Sequence, residues 1–166
     1  MTFPRRLPWL LLISALVIFF DRLTKNLVAA HIPIGGAIPV IPRVLRISHW
    51  TNDGAAFSLF ANSASPHTVR IVLSSFGAVL ILAVIGALIY LGSRFTLVTV
   101  ALALVLGGAI GNLHDRIVYG SVVDFIEVHI FGYPWRDFNV ADSCIVIGAC
   151  LIFLDSLLPS RKPTTS

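Results

Sequence analysis

The sequence predicts an all-α membrane protein in which four transmembrane helices carry a small β-cradle and loops on the outer, periplasmic face. Of its 166 residues, 57% are hydrophobic and 12% are charged, and its mean hydropathy is +0.90. A soluble domain carries roughly 25% charged residues. Four apolar runs also approach the length of about 20 residues that a helical crossing needs. We therefore expect one membrane domain over residues 1–166, with spans near 8–28, 71–91, 95–113 and 140–158 and outer loops over 31–68 and 114–139.

The first span has two interpretations. Arg5-Arg6 followed by the apolar run Leu7–Phe20 is typical of a secretory signal peptide, with Ala29-Ala30 as a weak cleavage site. Charged residues separate the apolar run from that site, which favours an uncleaved helix. Because the uncharged run is shorter than the required length of about 20 residues, we expect the helix to continue towards Val28.

Two charged residues occupy the end of this first helix. Asp21 and Lys25 are four residues apart, so they share a helix face and can form an ion pair. The length of the span places both near the surface at which the helix leaves the membrane.

The first loop is expected to hold β-structure on the membrane surface. Prolines and glycines break any helix between residues 31 and 68, and the β-branched residues of Val44–Thr51 favour a strand. Asn52-Asp53-Gly54 is a turn signal before residues 55–60. Trp50, Phe57 and Phe60 are expected to dip into the interface, where aromatic side chains are favoured.

The third and fourth spans carry signals of close packing and capping. Gly107 and Gly111 form a small-xxx-small pair that lets another helix approach closely. A strand-like run at Val122–Val128 lies in the second loop, and Asn139 is placed to cap the fourth helix.

The distribution of basic residues predicts cytoplasmic termini. Four crossings place both ends of the chain on one side. The segments on that side hold Arg5, Arg6, Arg94, Arg161 and Lys162. These segments hold five basic residues in about 19 residues, whereas the opposite loops hold seven basic residues in about 75. The raw count of basic residues favours the opposite orientation, but their density predicts that the termini are cytoplasmic. Except for Asp155, the unusual polar residues then converge on the outer leaflet, where intramembrane ionisable groups mark functional sites.

Other features carry little functional information. The net charge of +4 does not indicate nucleic-acid binding, because no basic stripe interleaves with aromatic residues. Cys144 and Cys150 both lie in the last apolar segment, where thiols most often pack as small apolar groups. His31, His49 and His67 are isolated.

Asp124 and Asp142 are the candidate catalytic residues. Two carboxylates brought close together cannot both ionise easily, so one keeps a proton as the acid while the other acts as the base. Such a pair can activate water against a peptide bond. The alternative for Asp142 is structural: with Asn139 as the cap it occupies the third helical position, where a carboxylate complements the helix dipole. Both roles are compatible, because the helix terminus favours the charged form of Asp142 and leaves the shared proton mainly on Asp124.

Neighbouring polar residues have structural and functional interpretations. Asn112, Asp115 and Arg116 lie on one helix face, and Asp115 with Arg116 is expected to form a structural ion pair. Asn112 and Asn139 are placed either to donate amide hydrogens to one carboxylate each or to satisfy backbone groups at helix ends. We expect Asp53, Arg136 and Asp137 to be solvated loop charges.

Two other functions remain open from the residues alone. A metal-dependent lipid head-group transferase can use Asp115, Asp124 and Asp142 as ligands. A small proton-coupled transporter can use the acidic residues as a relay, although its charges should then reach both leaflets. His114, Glu127 and His129 with Asp124 provide metal-binding groups, but their spacing matches no ligand motif.

Five blocks in order resemble the lipoprotein signal peptidases (signal peptidase II), a family of membrane aspartyl proteases. The first block, Asp21-Arg22-Leu23-Thr24-Lys25, departs from the family pattern at Arg22, where the family usually has Gln, and this leaves the detailed role of the block open. The other four blocks match the family's patterns at the asparagine, glycine and aspartate positions of those patterns. They are Asn52-Asp53-Gly54-Ala55-Ala56-Phe57, Gly107-Gly108-Ala109-Ile110-Gly111-Asn112-Leu113-His114-Asp115-Arg116, Val123-Asp124-Phe125 and Phe138-Asn139-Val140-Ala141-Asp142-Ser143.

The resemblance implies a catalytic dyad of Asp124 and Asp142 that uses neither metal nor another cofactor. It implies a diacylglyceryl-modified prolipoprotein as the substrate, cut just before the lipidated cysteine by an enzyme of the bacterial inner membrane. We further expect contact with membrane lipid, no nucleic-acid partner and a monomer. Supporting residues implied for the site are Asn52, Gly54, Asn112, Asp115, Arg116, Asn139 and Ala141, with Asp21 and Lys25 more peripheral.

Overall fold

Four apolar helices form the body of the protein. The computed structural model describes residues 4–54 and 65–158. Within those ranges the helices are α1 (Leu7–His31), α2 (Pro66–Leu91), α3 (Leu97–Val118) and α4 (Val140–Leu157). Each is long and apolar enough to cross a membrane, which confirms the four helices of the predicted fold class. The expected positions of Phe57, Phe60, Arg161 and Lys162 lie outside the described residues.

Three helices are longer than the sequence pattern indicates, and the first of them, α1 (Leu7–His31), exceeds the expected span 8–28 at both ends. α2 begins at Pro66, because the Ser65 side chain accepts a hydrogen bond from the Thr68 amide and proline is favoured at the first helical position. α3 continues to Val118, so residues 114–118, expected in the second loop, are helical. Apolarity alone therefore underestimates these helices, since polar residues continue them beyond the apolar run.

α3 lies at the centre of the bundle and contacts the other three helices. Its glycines allow close approach on two sides. A Cβ atom added at Gly107 would lie 2.7 Å from the Cβ of Val17 on α1, and one at Gly108 would lie 2.4 Å from the carbonyl oxygen of Ala141 on α4. A Cβ atom at Gly111 would lie 2.8 Å from Oδ2 of Asp21 on α1, so the predicted pair of Gly107 and Gly111 is confirmed as a helix-packing surface.

We expect Gly108→Val to destabilise the bundle, because the new side chain must displace the α4 backbone. Overpacking of this kind costs about 1–3 kcal/mol or more. Thermal unfolding in detergent should show a lower midpoint for this variant. Gly86→Val is the matched control, since a Cβ atom at Gly86 meets nothing within 4 Å; equal midpoints for the two variants would contradict the packing assignment.

A four-stranded antiparallel sheet covers one end of the bundle. Its strands are β1 (Ala37–Ile41), β2 (Leu45–Asn52), β3 (Val122–Ile130) and β4 (Tyr133–Pro134), in the order β1-β2-β3-β4. The sequence indicates two β-segments in separate loops, and the structure joins them through β2 and β3. In this register Trp50 lies opposite Asp124 and Asn52 opposite Val122.

The sheet is fixed to the bundle by apolar and polar contacts. Val28 and Ile32 at the end of α1 pack against Phe125 of β3. His49, for which the sequence suggests no role, is buried, with its Nδ1 2.6 Å from the carbonyl oxygen of Ile32. These contacts hold β2 and β3 over the end of α1.

Candidate active site

Asp124 is buried in β3 and hydrogen-bonded by two asparagines. Its side chain is 3% exposed. The amide nitrogen of Asn52 donates to Oδ2 at 2.9 Å, and that of Asn139 donates to Oδ1 at 2.8 Å. The pairing of β2 with β3 brings Asn52 to this carboxyl, although 72 residues separate the two in the chain.

Asp142 lies in the first turn of α4, at the position that the sequence predicts. Asn139 is the N-cap, and its Oδ1 accepts a hydrogen bond from the Asp142 amide at 2.9 Å. The carboxylate of Asp142 accepts a hydrogen bond at 2.7 Å from the amide nitrogen of Asn112 on α3. The structure thus contains the predicted cap, and Asn112 and Asn139 each donate to one of the two carboxyl groups as predicted.

Asn139 connects the two carboxyl groups. Its side-chain oxygen binds the backbone of Asp142 and its side-chain nitrogen binds the carboxyl of Asp124. The same nitrogen lies 3.4 Å from Oδ1 of Asn112, whose own nitrogen binds Asp142. The two aspartates therefore belong to one hydrogen-bonded network.

The pKa of Asp124 is raised to about 6, chiefly because burial disfavours the charged carboxylate. The hydrogen bonds from Asn52 and Asn139 act in the opposite direction, while the negative charge of Asp142 raises this pKa further. A carboxyl group with this pKa can hold a proton close to neutral pH. This supports the expectation that the shared proton resides mainly on Asp124.

Asp21 and Lys25 are buried and contact residues that surround the two candidate aspartates. Both are fully buried, and the predicted ion pair between them is present at 2.8 Å. Oδ1 of Asp21 accepts a hydrogen bond from the Ala141 amide on α4, and Lys25 donates to Oδ1 of Asn112 at 3.2 Å. α1 packs directly on the glycines of α3. This close packing brings Asp21 and Lys25 of α1 into contact with residues of the site.

The sequence predicts an ion pair between Asp115 and Arg116, and this prediction is wrong. Asp115 pairs instead with two cations of α1. Lys25 Nζ lies 2.7 Å from Oδ2 of Asp115, and Arg22 forms an ion pair with Oδ1 of the same carboxylate. Arg22 also donates to the Tyr119 hydroxyl at 3.2 Å and lies over the ring of that tyrosine. The departure from the family pattern at Arg22 therefore has a structural role in neutralising a buried acid.

The remaining predicted residues support the same region. Arg116 interacts electrostatically with Asp124 and Asp142, and its Nε is buried without a hydrogen-bond partner in the described part of the chain. Gly54 has a positive φ of 89° and donates its amide to Oδ1 of Asn52, so it closes the turn that fixes this asparagine.

The charged residues of the sheet form a separate cluster. Glu127 pairs with Arg46 at 3.1 Å and with His129 at 2.7 Å. Asp137, expected to be solvated, is half-buried and accepts a hydrogen bond from Ser48; burial raises its pKa. Within residues 4–54 and 65–158, no three His, Cys, Asp or Glu side chains are arranged to hold a metal ion.

Comparison with known proteins identifies the family. The sequence model described as "Signal peptidase (SPase) II" matches residues 13–158. The chain belongs to the signal peptidase II family. Two relatives named lipoprotein signal peptidase are those of Solibacter usitatus and Bacillus subtilis. The Solibacter protein is 38% identical over 90% of this chain and 91% of its own length. The Bacillus protein is 40% identical over 91% of this chain and 94% of its own length.

Solved structures support the same assignment. One bacterial membrane enzyme is 32% identical to this chain, with a TM-score of 0.83 over 100% of this chain and 98% of its own length. A second bacterial membrane enzyme is 33% identical, with a TM-score of 0.81 over 95% of this chain and 97% of its own length. As a member of the signal peptidase II family, the chain is an aspartic-type protease and a multi-pass membrane protein.

Proposed function

We propose that this protein removes the signal peptide from diacylglyceryl-modified prolipoproteins by cutting before the lipidated cysteine, with Asp124 and Asp142 as the catalytic dyad. One observation carries the assignment: two carboxyl groups from different elements are held in one network by Asn112 and Asn139. The names of the relatives support a lipoprotein precursor as the substrate. We also propose that the protein acts as a monomer.

The geometry supports a general acid–base mechanism on a water molecule. The Asp142 carboxylate takes a proton from water as the water oxygen bonds to the scissile carbonyl carbon. Protonated Asp124 gives its proton to the carbonyl oxygen, which yields a tetrahedral diol. Asp142 then gives its proton to the amine nitrogen and Asp124 takes one back from a hydroxyl group as the carbon–nitrogen bond breaks. The products are the signal-peptide carboxylic acid and the free amine of the lipidated cysteine, and both aspartates return to their starting states.

We place the site at the outer leaflet of the inner membrane, with cytoplasmic termini. The ends of α1 and α3, the start of α4 and the sheet all lie at one end of the bundle. The density of basic residues in the opposite segments supports the cytoplasmic placement of those segments. A substrate anchored by acyl chains remains in the bilayer, so a site at this depth meets its cleavage point.

Purified enzyme should cleave a lipidated precursor and leave its unlipidated twin uncut, with the same rate in EDTA. Retained activity in chelator is expected because carboxyl groups alone supply the acid and the base. Mass spectrometry of the released peptide gives the position of the cut. Loss of activity in EDTA would favour the metal-dependent head-group transferase, and transport without cleavage would favour the proton-coupled transporter.

The pH dependence of kcat/KM should report the proton on Asp124. Because a deprotonated Asp124 cannot act as the acid, we expect kcat/KM to fall as pH rises through about 6. Asn52→Leu removes a hydrogen bond that lowers this pKa, so the alkaline limb should move to higher pH. Thr51→Val, at the exposed neighbouring position, should leave the limb in place; a shift to lower pH in Asn52→Leu would contradict the assignment.

A further inference from the structure

A polar pocket lies at the end of the bundle that the sheet covers, and neither carboxyl group of the dyad lines it. Its volume is about 330 Å³, near the lower end of the range of small-ligand sites. Its wall consists of five polar residues and one glycine: Asp53, His67, Arg70, Tyr119, Gly120 and Ser121. We call it the α2 pocket, because His67 and Arg70 belong to the beginning of α2.

Three segments of the chain meet at the α2 pocket: the turn after β2, the beginning of α2 and the connection from α3 to β3. Arg70 joins two of them, since its guanidinium donates a hydrogen bond at 3.1 Å to the carbonyl oxygen of Ile117 on α3. A Cβ atom added at Gly120 would lie 3.1 Å from Nη1 of Arg70, and Gly120 has a positive φ of 85°. Glycine at this position therefore lets the guanidinium lie directly against the connection, which fixes the cation at the wall of the pocket.

The α2 pocket contains charges of both signs that do not neutralise each other. Arg70 and Asp53 both line it, yet within residues 4–54 and 65–158 neither of them forms an ion pair. The stretch 55–64 contains no charged side chain, so it supplies no partner for either charge. A cation and an anion that remain unpaired in one pocket favour a ligand that carries both signs of charge.

The α2 pocket lies at the depth of lipid head groups. α2 has 26 residues, so its length is about 39 Å, whereas the hydrocarbon core of a bilayer is about 30 Å thick. When the excess length is shared between the two ends, about one turn of α2 extends into the head-group layer at each end. His67 lies in the first turn, and the long side chain of Arg70 can extend outward to the same layer.

We propose that the α2 pocket binds the phosphoethanolamine head group of a membrane phospholipid. The phosphodiester is an anion, which the guanidinium of Arg70 can bind through charge-assisted hydrogen bonds. A ring nitrogen of His67 can add a further donor, and the positive end of the α2 dipole favours an anion at this end of the helix. The primary ammonium group is a cation with three N–H donors, which match the carboxylate of Asp53. This inference does not depend on the proposed peptidase activity.

Other phospholipid head groups fit the α2 pocket less well. A glycerol head group has no cation for Asp53. A choline head group has a cation without N–H donors and is recognised by cages of aromatic rings. Among the described residues that line the pocket, the only phenylalanine, tyrosine or tryptophan is Tyr119, and its ring already lies under Arg22. The ethanolamine head group is therefore the one whose two charged groups both find a partner.

The test measures lipid binding to the purified protein by native mass spectrometry. The probes are phosphatidylethanolamine, phosphatidylglycerol and phosphatidylcholine with identical acyl chains. Because exposed charge pairs contribute modestly, we expect the wild type to bind phosphatidylethanolamine about threefold to fivefold more tightly than the other two lipids. Equal affinity for the three lipids would overturn the proposal, since Asp53 would then select no ligand.

The Arg70→Gln variant tests the phosphate contact. It should weaken the binding of phosphatidylethanolamine by about tenfold, because it removes a charge-assisted hydrogen bond. Arg43→Gln is the matched control, since Arg43 is an exposed arginine between β1 and β2 and does not line the pocket. It should change the affinity by less than about twofold. Equal affinities for the two variants would overturn the assignment of the phosphate to Arg70.

The Asp53→Asn variant tests the ammonium contact independently of Arg70. Asn has nearly the same shape as Asp, suits a turn, and replaces an exposed side chain, so the variant should fold, as thermal unfolding in detergent can check. It should remove the preference for phosphatidylethanolamine over phosphatidylglycerol. An unchanged preference in this variant would overturn the proposal even where Arg70→Gln fails to fold.

A competition experiment distinguishes the membrane lipid from its free head group. Soluble glycerophosphoethanolamine carries the same phosphate and ammonium groups without acyl chains. We expect it to displace phosphatidylethanolamine only at concentrations well above that of the lipid, because the lipid also contacts the apolar surface of the helices. Displacement at equal concentrations would overturn the assignment of a membrane lipid as the ligand.

Discussion

Asp142→Asn should lower the rate of cleavage by about 10³-fold or more, while the protein still folds and enters the membrane. The asparagine cannot take the proton from water, and general acid–base groups contribute about 10²–10⁴-fold to rates. Its amide oxygen can still accept the hydrogen bond that Asn112 donates to Asp142 in the wild type. Asp124→Asn should have the same effect through loss of the acid.

The measurement is single-turnover cleavage of a lipidated precursor, with thermal unfolding of each variant as the test of folding. Asp155→Asn is the matched control, since it changes an aspartate near the opposite end of the same helix. We expect it to retain near-normal cleavage. Near-normal turnover of the purified Asp142→Asn variant would contradict the proposal that Asp124 and Asp142 form the catalytic dyad.

Lys25→Met should destabilise the protein by about 3–5 kcal/mol, because it leaves the buried carboxylates of Asp21 and Asp115 without their shared cation. Lys25 is 1% exposed, so water cannot replace the lost charge. The unfolding midpoint in detergent should fall and activity should fall with it, since Lys25 also holds Asn112.

Arg46→Met gives the contrasting result. The side chain of Arg46 is 42% exposed, and His129 remains beside Glu127, so the cost should stay within about 1 kcal/mol. Adding Asp21→Asn to Lys25→Met should recover part of the lost stability, because it removes one unpaired charge. Equal midpoints for Lys25→Met and Arg46→Met would show that the buried network does not stabilise the bundle.

Stability and activity are linked in this site through shared residues. Lys25 neutralises the acids of α1 and α3 and also binds the oxygen of Asn112, which directs the nitrogen of that amide towards Asp142. A charge that stabilises the helix packing thereby orients a group of the dyad. This link explains why the first block cannot be separated from the site, although the sequence alone suggests a peripheral position.

The sequence by itself determines the class of protein, its four apolar spans and its family. Each depends on local properties: hydropathy over about 20 residues, the glycine spacing on α3, the capping position of Asn139 and blocks of neighbouring residues. Local signals of this kind do not require knowledge of which elements meet. For the same reason they predict Asp142 in the first turn of α4 correctly.

Only the tertiary structure decides the partners of the polar residues. The pairing of β2 with β3 brings Asn52 within hydrogen-bond distance of Asp124. Asp115 forms ion pairs with Lys25 and Arg22 rather than with its sequence neighbour Arg116. The physical reason is that a buried charge or amide is satisfied by whichever group the packing brings within reach, and sequence distance does not limit that choice. Ion pairs and hydrogen bonds between helices and strands therefore follow from packing, while the elements that carry them follow from the sequence.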